Sequence, residues 1–210
     1  EIQKKMSDEG DILRLSSKPR RDKTFFSRLW LGMRCHLIVA ALCAVSVSNA
    51  AKPVLRRGWN LGNTLELYPP RQRAEWMFSD VKAQGFDWVR IPVQWDRHTG
   101  TSPPYTIDAG FLSDVNETVH WALQHGLVAM LNTHHENWFD NTTLFSSNLE
   151  RFESIWQQIA HAFSPVPDEQ LVYEVLNEPN HISIDQLNQM NGAVLPIIRA
   201  TNPTRQVHFR

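Results

Sequence analysis

The sequence predicts an α/β fold of repeated strand–helix units, on three observations. Five short apolar runs recur at spacings of roughly 30 to 45 residues, as βα units do. The stretches between them carry apolar residues at helical spacing. Polar residues cluster toward the C-terminal ends of the first four runs (Asn60 in the first, Arg90 in the second, Thr133 to Glu136 after the third, Asn177 and Glu178 at the fourth), and in a closed barrel of parallel strands those ends meet on one face. Together they predict a (β/α)8 barrel represented by about its first half, strands 1–4 and the start of a fifth. A doubly wound sheet is the alternative, but no glycine-rich phosphate loop of the GxGxxG or GxxxxGK type is present to support its nucleotide-binding form.

The elements follow in order. Residues 55–61 are the first strand. A helix from about Arg71 to Gln84 ends at Gly85. FDWVRIPV (86–93) is the second strand. Asp108 is placed to cap the next helix, whose Leu112, Val115, Val119 and Ala122 share one face and which Gly126 closes. GLVAMLN (126–132) is the third strand. Asn148 opens a helix with Leu149, Phe152, Ile155, Trp156, Ile159 and Phe163 on its apolar face, and Pro165 stops it. LVYEVLN (171–177) is the fourth strand. The last helix starts near Asp185, ends before Pro203 and should kink at Pro196. QVHF (206–209) is an incipient fifth strand. Continuous apolar strands alternating with amphipathic helices imply a parallel sheet covered by helices.

Residues 33–50 have the layout of a secretory signal peptide: Met33 and Arg34, an apolar centre from Leu37 to Val47, then Ser48, Asn49 and Ala50. Both cysteines, Cys35 and Cys43, fall inside it, so the mature chain would contain none. Residues 1–32 are polar and include KPRRDK. They are expected to be an upstream segment outside the fold, with translation starting at Met33. If they are translated, the apolar stretch becomes a signal-anchor and the protein meets a membrane. The sequons at Asn116 and Asn141 fit a secreted glycoprotein. The net charge of −1 and pI near 6.8 give no attraction for a polyanion, so nucleic acid is not an expected partner.

The polar strand ends carry the chemistry. Glu178, at the mouth of an apolar strand, should be partly desolvated, which suits a proton donor near neutral pH; the plain alternative is a helix cap or a partner for Arg90. Asn177 could orient a sugar hydroxyl, or be a turn residue before Pro179. Arg90 lies inside an apolar strand and must have a partner, either a carboxylate kept ionised for chemistry or a structural ion pair. His134 and His135 should alternate sides of the strand, which argues against joint chelation, and no HExxH or cysteine set supports a metal. Trp59, Trp95, Trp138 and Phe139 lie near strand ends and could stack on sugar rings or pack under loops. Glu174 reads as a barrel-interior group satisfied by neighbours.

RGWNLGNTLE (57–66), VRIPVQW (89–95), LNTHHENW (131–138) and YEVLNEP (173–179) resemble glycoside hydrolase family 5, the cellulase-type enzymes, in order and spacing. The resemblance covers residues 54–210. It implies a catalytic barrel over 51–210 that cleaves β-glycosidic bonds with retention and uses no cofactor. Glu178 would be the general acid/base and Asn177 its neighbour on the sugar 2-hydroxyl. Arg90 would support the nucleophile, and His134 and His135 would face substrate. Asn63, Glu66 and Trp138 would line the same site. The family's nucleophile is a second glutamate at the end of the seventh strand, which this sequence does not reach. The expectations are an N-terminal portion of a secreted β-1,4-glucanase, silent by itself, with open sheet edges. A mannanase, an exo-β-1,3-glucanase or a non-catalytic glycan-binding protein are the alternatives.

Overall fold

The structure is a computed structural model, and it describes residues 52–67, 72–136, 138–139 and 141–209. The expected signal peptide and the segment before it lie outside the described residues. Among those that are described, no helix is long and apolar enough to cross a membrane.

Among the described residues, five parallel strands form one sheet in the order β1-β2-β3-β4-β5. They are β1 (Gly58–Asn60), β2 (Trp88–Ile91), β3 (Val128–Asn132), β4 (Leu171–Glu174) and β5 (Val207–His208). The helices between them are α1 (Glu75–Ala83), α2 (Ala109–Gln124), α3 (Phe145–Ala162) and α4 (Ile184–Thr201). This is the α/β arrangement the sequence predicts. Sequential strands are spatial neighbours throughout, as expected when each helix crosses back over the same face.

Local chemistry sets the helix ends. Asp108 caps α2, its Oδ1 accepting the Phe111 N–H at 2.8 Å. Gly126 follows α2 at φ +70°, a conformation glycine adopts without a Cβ penalty. Ser183 and Gln186 form a reciprocal capping box at the start of α4. That helix runs on through Pro196 to Thr201.

Two helix starts differ from expectation. Gln72–Ala74 are not helical, and Ala74 is extended without a side-chain cap, so α1 starts at Glu75. Arg73 is held across to α2 by Glu117 at 2.7 Å, which keeps this segment out of the helix. Conversely, α3 begins one turn before Asn148. Asn141 starts the turn, its Oδ1 accepting from the Thr143 N–H, while Asn148 Nδ2 donates back to the carbonyls of Leu144 and Trp138. Asn148 is thus a donor to the preceding turn instead of an N-cap acceptor.

The core lies between the helices and the outward-facing strand residues. Val89, Ile91, Ala129, Leu131, Leu171 and Tyr173 pack against Val115, Val119, Phe152, Trp156, Ile159 and Ile198, all fully buried. Each such large side chain contributes about 1.5–3 kcal/mol by leaving water. Arg205, also fully buried, closes the opposite end of the sheet. It donates to the carbonyls of Phe163, Val166, Pro167 and Leu171 and to Asn202 Oδ1. Nothing in the sequence pattern marks that role.

Candidate active site

On the inner face, polar residues stand among apolar ones such as Met130 and Val172. The register sets Asn60 beside Arg90, and Asn132 beside Glu174. Arg90 is the hub. Its Nε donates to Glu174 Oε2 at 2.6 Å, Nη1 to Asn60 Oδ1 at 3.1 Å and Nη2 to Asn177 Oδ1 at 2.8 Å. A guanidinium inside an apolar strand therefore has a partner on each nitrogen, which offsets its desolvation. Its carboxylate is Glu174, buried and satisfied by neighbours, as the sequence predicts.

The network continues through Asn132. Its Oδ1 accepts the Val93 N–H at 3.3 Å, which fixes the orientation of the amide. Its Nδ2 then faces Glu174 Oε2 at 3.1 Å and His134 Nδ1 at 3.2 Å. Because Nδ2 is a donor, His134 Nδ1 accepts, and the ring proton of the neutral imidazole sits on Nε2. By the same logic Asn177, with Oδ1 committed to Arg90, keeps its Nδ2 as a donor.

Three candidate residues hold positive φ: Asn63 at 61°, His135 at 56° and Glu178 at 40°. All lie just past strand ends. For His and Glu this backbone costs of order 1–3 kcal/mol, and such strain gathers at functional sites. Tyr105, at 53° in the β2–α2 loop, is the other described non-glycine residue of this kind.

The positive φ at His135 also corrects an expectation. β3 ends at Asn132, so strand alternation no longer applies to His134 and His135. Their rings meet edge to face with centroids 4.3 Å apart, His134 buried and His135 exposed. Among the described residues no group of three or more His, Cys, Asp or Glu is placed to hold a metal ion.

Glu178 is exposed, so the partial desolvation expected for it is not found. It borders a polar cleft of about 180 Å³ with His135, Glu136, Leu176, Asn177, Asn180 and His181. Asn177 links that cleft to Arg90. Glu66 is buried and accepts from the backbone N–H groups of Asn63 and Thr64, so it holds the β1–α1 loop in shape while Asn63 stays exposed. Trp95 and Phe139 are fully buried core: Trp95 donates its indole N–H to Asn132 O at 3.0 Å, and Phe139 stacks on Phe152 at 4.4 Å. Trp59 and Trp138 are half-buried and keep exposed surface.

Glu136, inside the LNTHHENW motif, carries no role that the sequence alone assigns. It is 1% exposed, yet both its oxygens are used. Oε1 accepts the Trp95 N–H at 2.8 Å; Oε2 accepts the Asp96 N–H at 3.1 Å and the Trp138 indole N–H at 3.0 Å. Burial pushes its carboxyl up to about 8, with the nearby Asp96 charge adding to the rise and the three donors opposing it. Burial likewise raises the Asp96 carboxyl, against the pull of Arg151 and Arg97.

The sequence pattern of Cellulase (glycosyl hydrolase family 5) matches residues 47–209. The chain belongs to that family. Among its relatives, Endoglucanase H of Acetivibrio thermocellus is 46% identical over 155 residues, which cover 71% of this chain and 17% of that protein. Two solved structures are similar to the family 5 chain over 73% of its length. Thermotoga maritima Cel5A in complex with cellobiose has a TM-score of 0.70 and 32% identity, with 51% of that chain covered. It has also been solved in complex with mannotriose. The tri-modular Bacillus licheniformis endo-β-1,4-glucanase with cellotetraose has a TM-score of 0.69 and 36% identity, with 32% of it covered. The chain thus spans about half of Cel5A and less of the other two. These family 5 neighbours place the sheet as part of a (β/α)8 barrel.

Proposed function

We propose that this chain carries the acid/base side of a retaining β-1,4-glucanase site. Glu178 gives its proton to the glycosidic oxygen of the leaving sugar and later takes one from the attacking water. Asn177 Nδ2 donates to the sugar 2-hydroxyl, its amide held by Arg90. His134 and exposed His135 stand beside them in the same sugar site. The single observation that carries the reading is the Arg90–Asn177 bond at 2.8 Å next to Glu178, in a family 5 chain.

A retaining mechanism needs a second carboxylate roughly 5–5.5 Å from the first. The other strand-end carboxylates are committed: Glu174 to Arg90 and Asn132, Glu66 to two backbone N–H groups, and Glu136 to three N–H donors. We therefore assign the nucleophile to residues outside this sequence, with Arg90 supporting it. Secretion fits the leader-like pattern of 33–50 and the exposed positions of Asn116 and Asn141.

The test is titration of the 210-residue protein with cellotetraose, mannotetraose and laminaritetraose, alongside a reducing-sugar assay on carboxymethyl-cellulose. Preference for cellotetraose without hydrolysis is expected. Measurable hydrolysis would overturn the assignment of the nucleophile. Preference for mannotetraose would favour the mannanase reading, for which the mannotriose complex of Cel5A is the specific support.

A further inference from the structure

The Trp138 indole is gripped at two points. Its N–H meets buried Glu136, and the Arg151 guanidinium lies over its ring at 4.3 Å. Arg151 in turn donates from Nη2 to Asp96 O at 2.9 Å and Thr99 Oγ1 at 2.8 Å. Glu136 holds the backbone of the same β2–α2 loop through Trp95 and Asp96. One carboxylate thus joins the loop after β2 to an aromatic ring in the loop after β3, and the same residue lines the cleft that holds Glu178. A buried carboxyl is an expensive fastener. A glutamine could not match it in either protonation state, because one of the two positions where the three donors converge would become an NH2 that accepts nothing.

We propose that Glu136 is a positioning residue of the sugar site: it lines the cleft that Glu178 borders and from there fixes the orientation of the half-buried Trp138 indole beside it. This rests on the glucan reading above and adds to it a residue that acts without touching sugar. A half-buried indole with a free rotamer would lose ordering entropy on binding a sugar ring; one already fixed by Glu136 and Arg151 does not.

The experiment uses the 210-residue protein with its tryptophans ¹⁵N-labelled, unsubstituted and as Glu136→Gln, Trp138→Phe and the double variant. The Trp138 indole resonance is the one missing from Trp138→Phe. In the unsubstituted protein its indole N–H should exchange with solvent at least about tenfold more slowly than that of Trp76, which is exposed. In Glu136→Gln that resonance should move most. The Trp95 indole resonance should stay, since its N–H goes to Asn132 O. Cellotetraose affinity should fall about tenfold in Glu136→Gln. In the Trp138→Phe background the same change should cost less than about twofold, because the ring it orients has lost its handle. Equal losses in both backgrounds would show that Glu136 only supports the fold, and overturn the proposal. So would a Trp138 indole that exchanges as fast as that of Trp76, a result that needs no folded Glu136 variant. If the unsubstituted protein binds no cellotetraose, the glucan reading fails; the exchange and resonance data still decide whether Glu136 positions Trp138.

Discussion

Arg90 Nε and Glu174 Oε2 lie 2.6 Å apart across β3, with Glu174 two residues beyond Val172, the residue of β4 in register with Arg90. The pair holds the polar centre of an otherwise apolar sheet together, because Glu174 also receives Asn132 and Arg90 also reaches Asn60 and Asn177.

Breaking one side of that pair strands the other. Arg90→Met should lower the unfolding free energy by about 3–5 kcal/mol, since Glu174 is left as a buried carboxylate. Arg90→Met with Glu174→Leu should recover most of it. Urea unfolding of the three proteins measures this, and a double variant as unstable as the single would contradict the pairing.

Glu136 makes stability depend on pH. Its folded carboxyl is raised from 4.5 to about 8, so in that window the folded state keeps a proton that the unfolded state releases. The contribution is complete below about 4.5 and is lost as pH rises toward 8. Glu136→Gln cannot titrate, and its unfolding free energy should fall less across the window. Parallel pH profiles for the two proteins would rule this out.

Glu178 holds φ +40° on an exposed residue. Glu178→Gly should relieve that strain and raise stability by up to about 1 kcal/mol, after the entropy glycine adds to the unfolded chain. Glu178→Gln keeps the strain and should leave stability unchanged. Thermal melts of both settle the sign. A loss with glycine would mean the backbone is relaxed there.

Strands β1 and β5 each have one neighbour among the described strands. Unpaired backbone at such edges recruits other chains. The 210-residue protein should self-associate in sedimentation velocity; a monomer that melts cooperatively would count against this.

Much of the site was legible in the sequence because strand ends are. Once the apolar runs were read as parallel strands, Asn60, Arg90, His134 and Asn177 had to gather at one end. The helix starts were less legible. Asn148 and the segment around Arg73 carry ordinary starting signals, which were outcompeted by hydrogen bonds to Leu144 and Glu117, the second of them 44 residues away.

Sequence order and composition were enough for the βα alternation, the family 5 motifs and the set of polar strand-end residues, because periodicity and strand direction are local properties. The side-chain pairings were not available from it. Arg90 chose Glu174, Glu178 stayed in solvent, and Glu136 became a buried clasp on Trp138 because burial and partner distance depend on how separate strands and loops are brought together in three dimensions. No residue's neighbours along the chain carry that information.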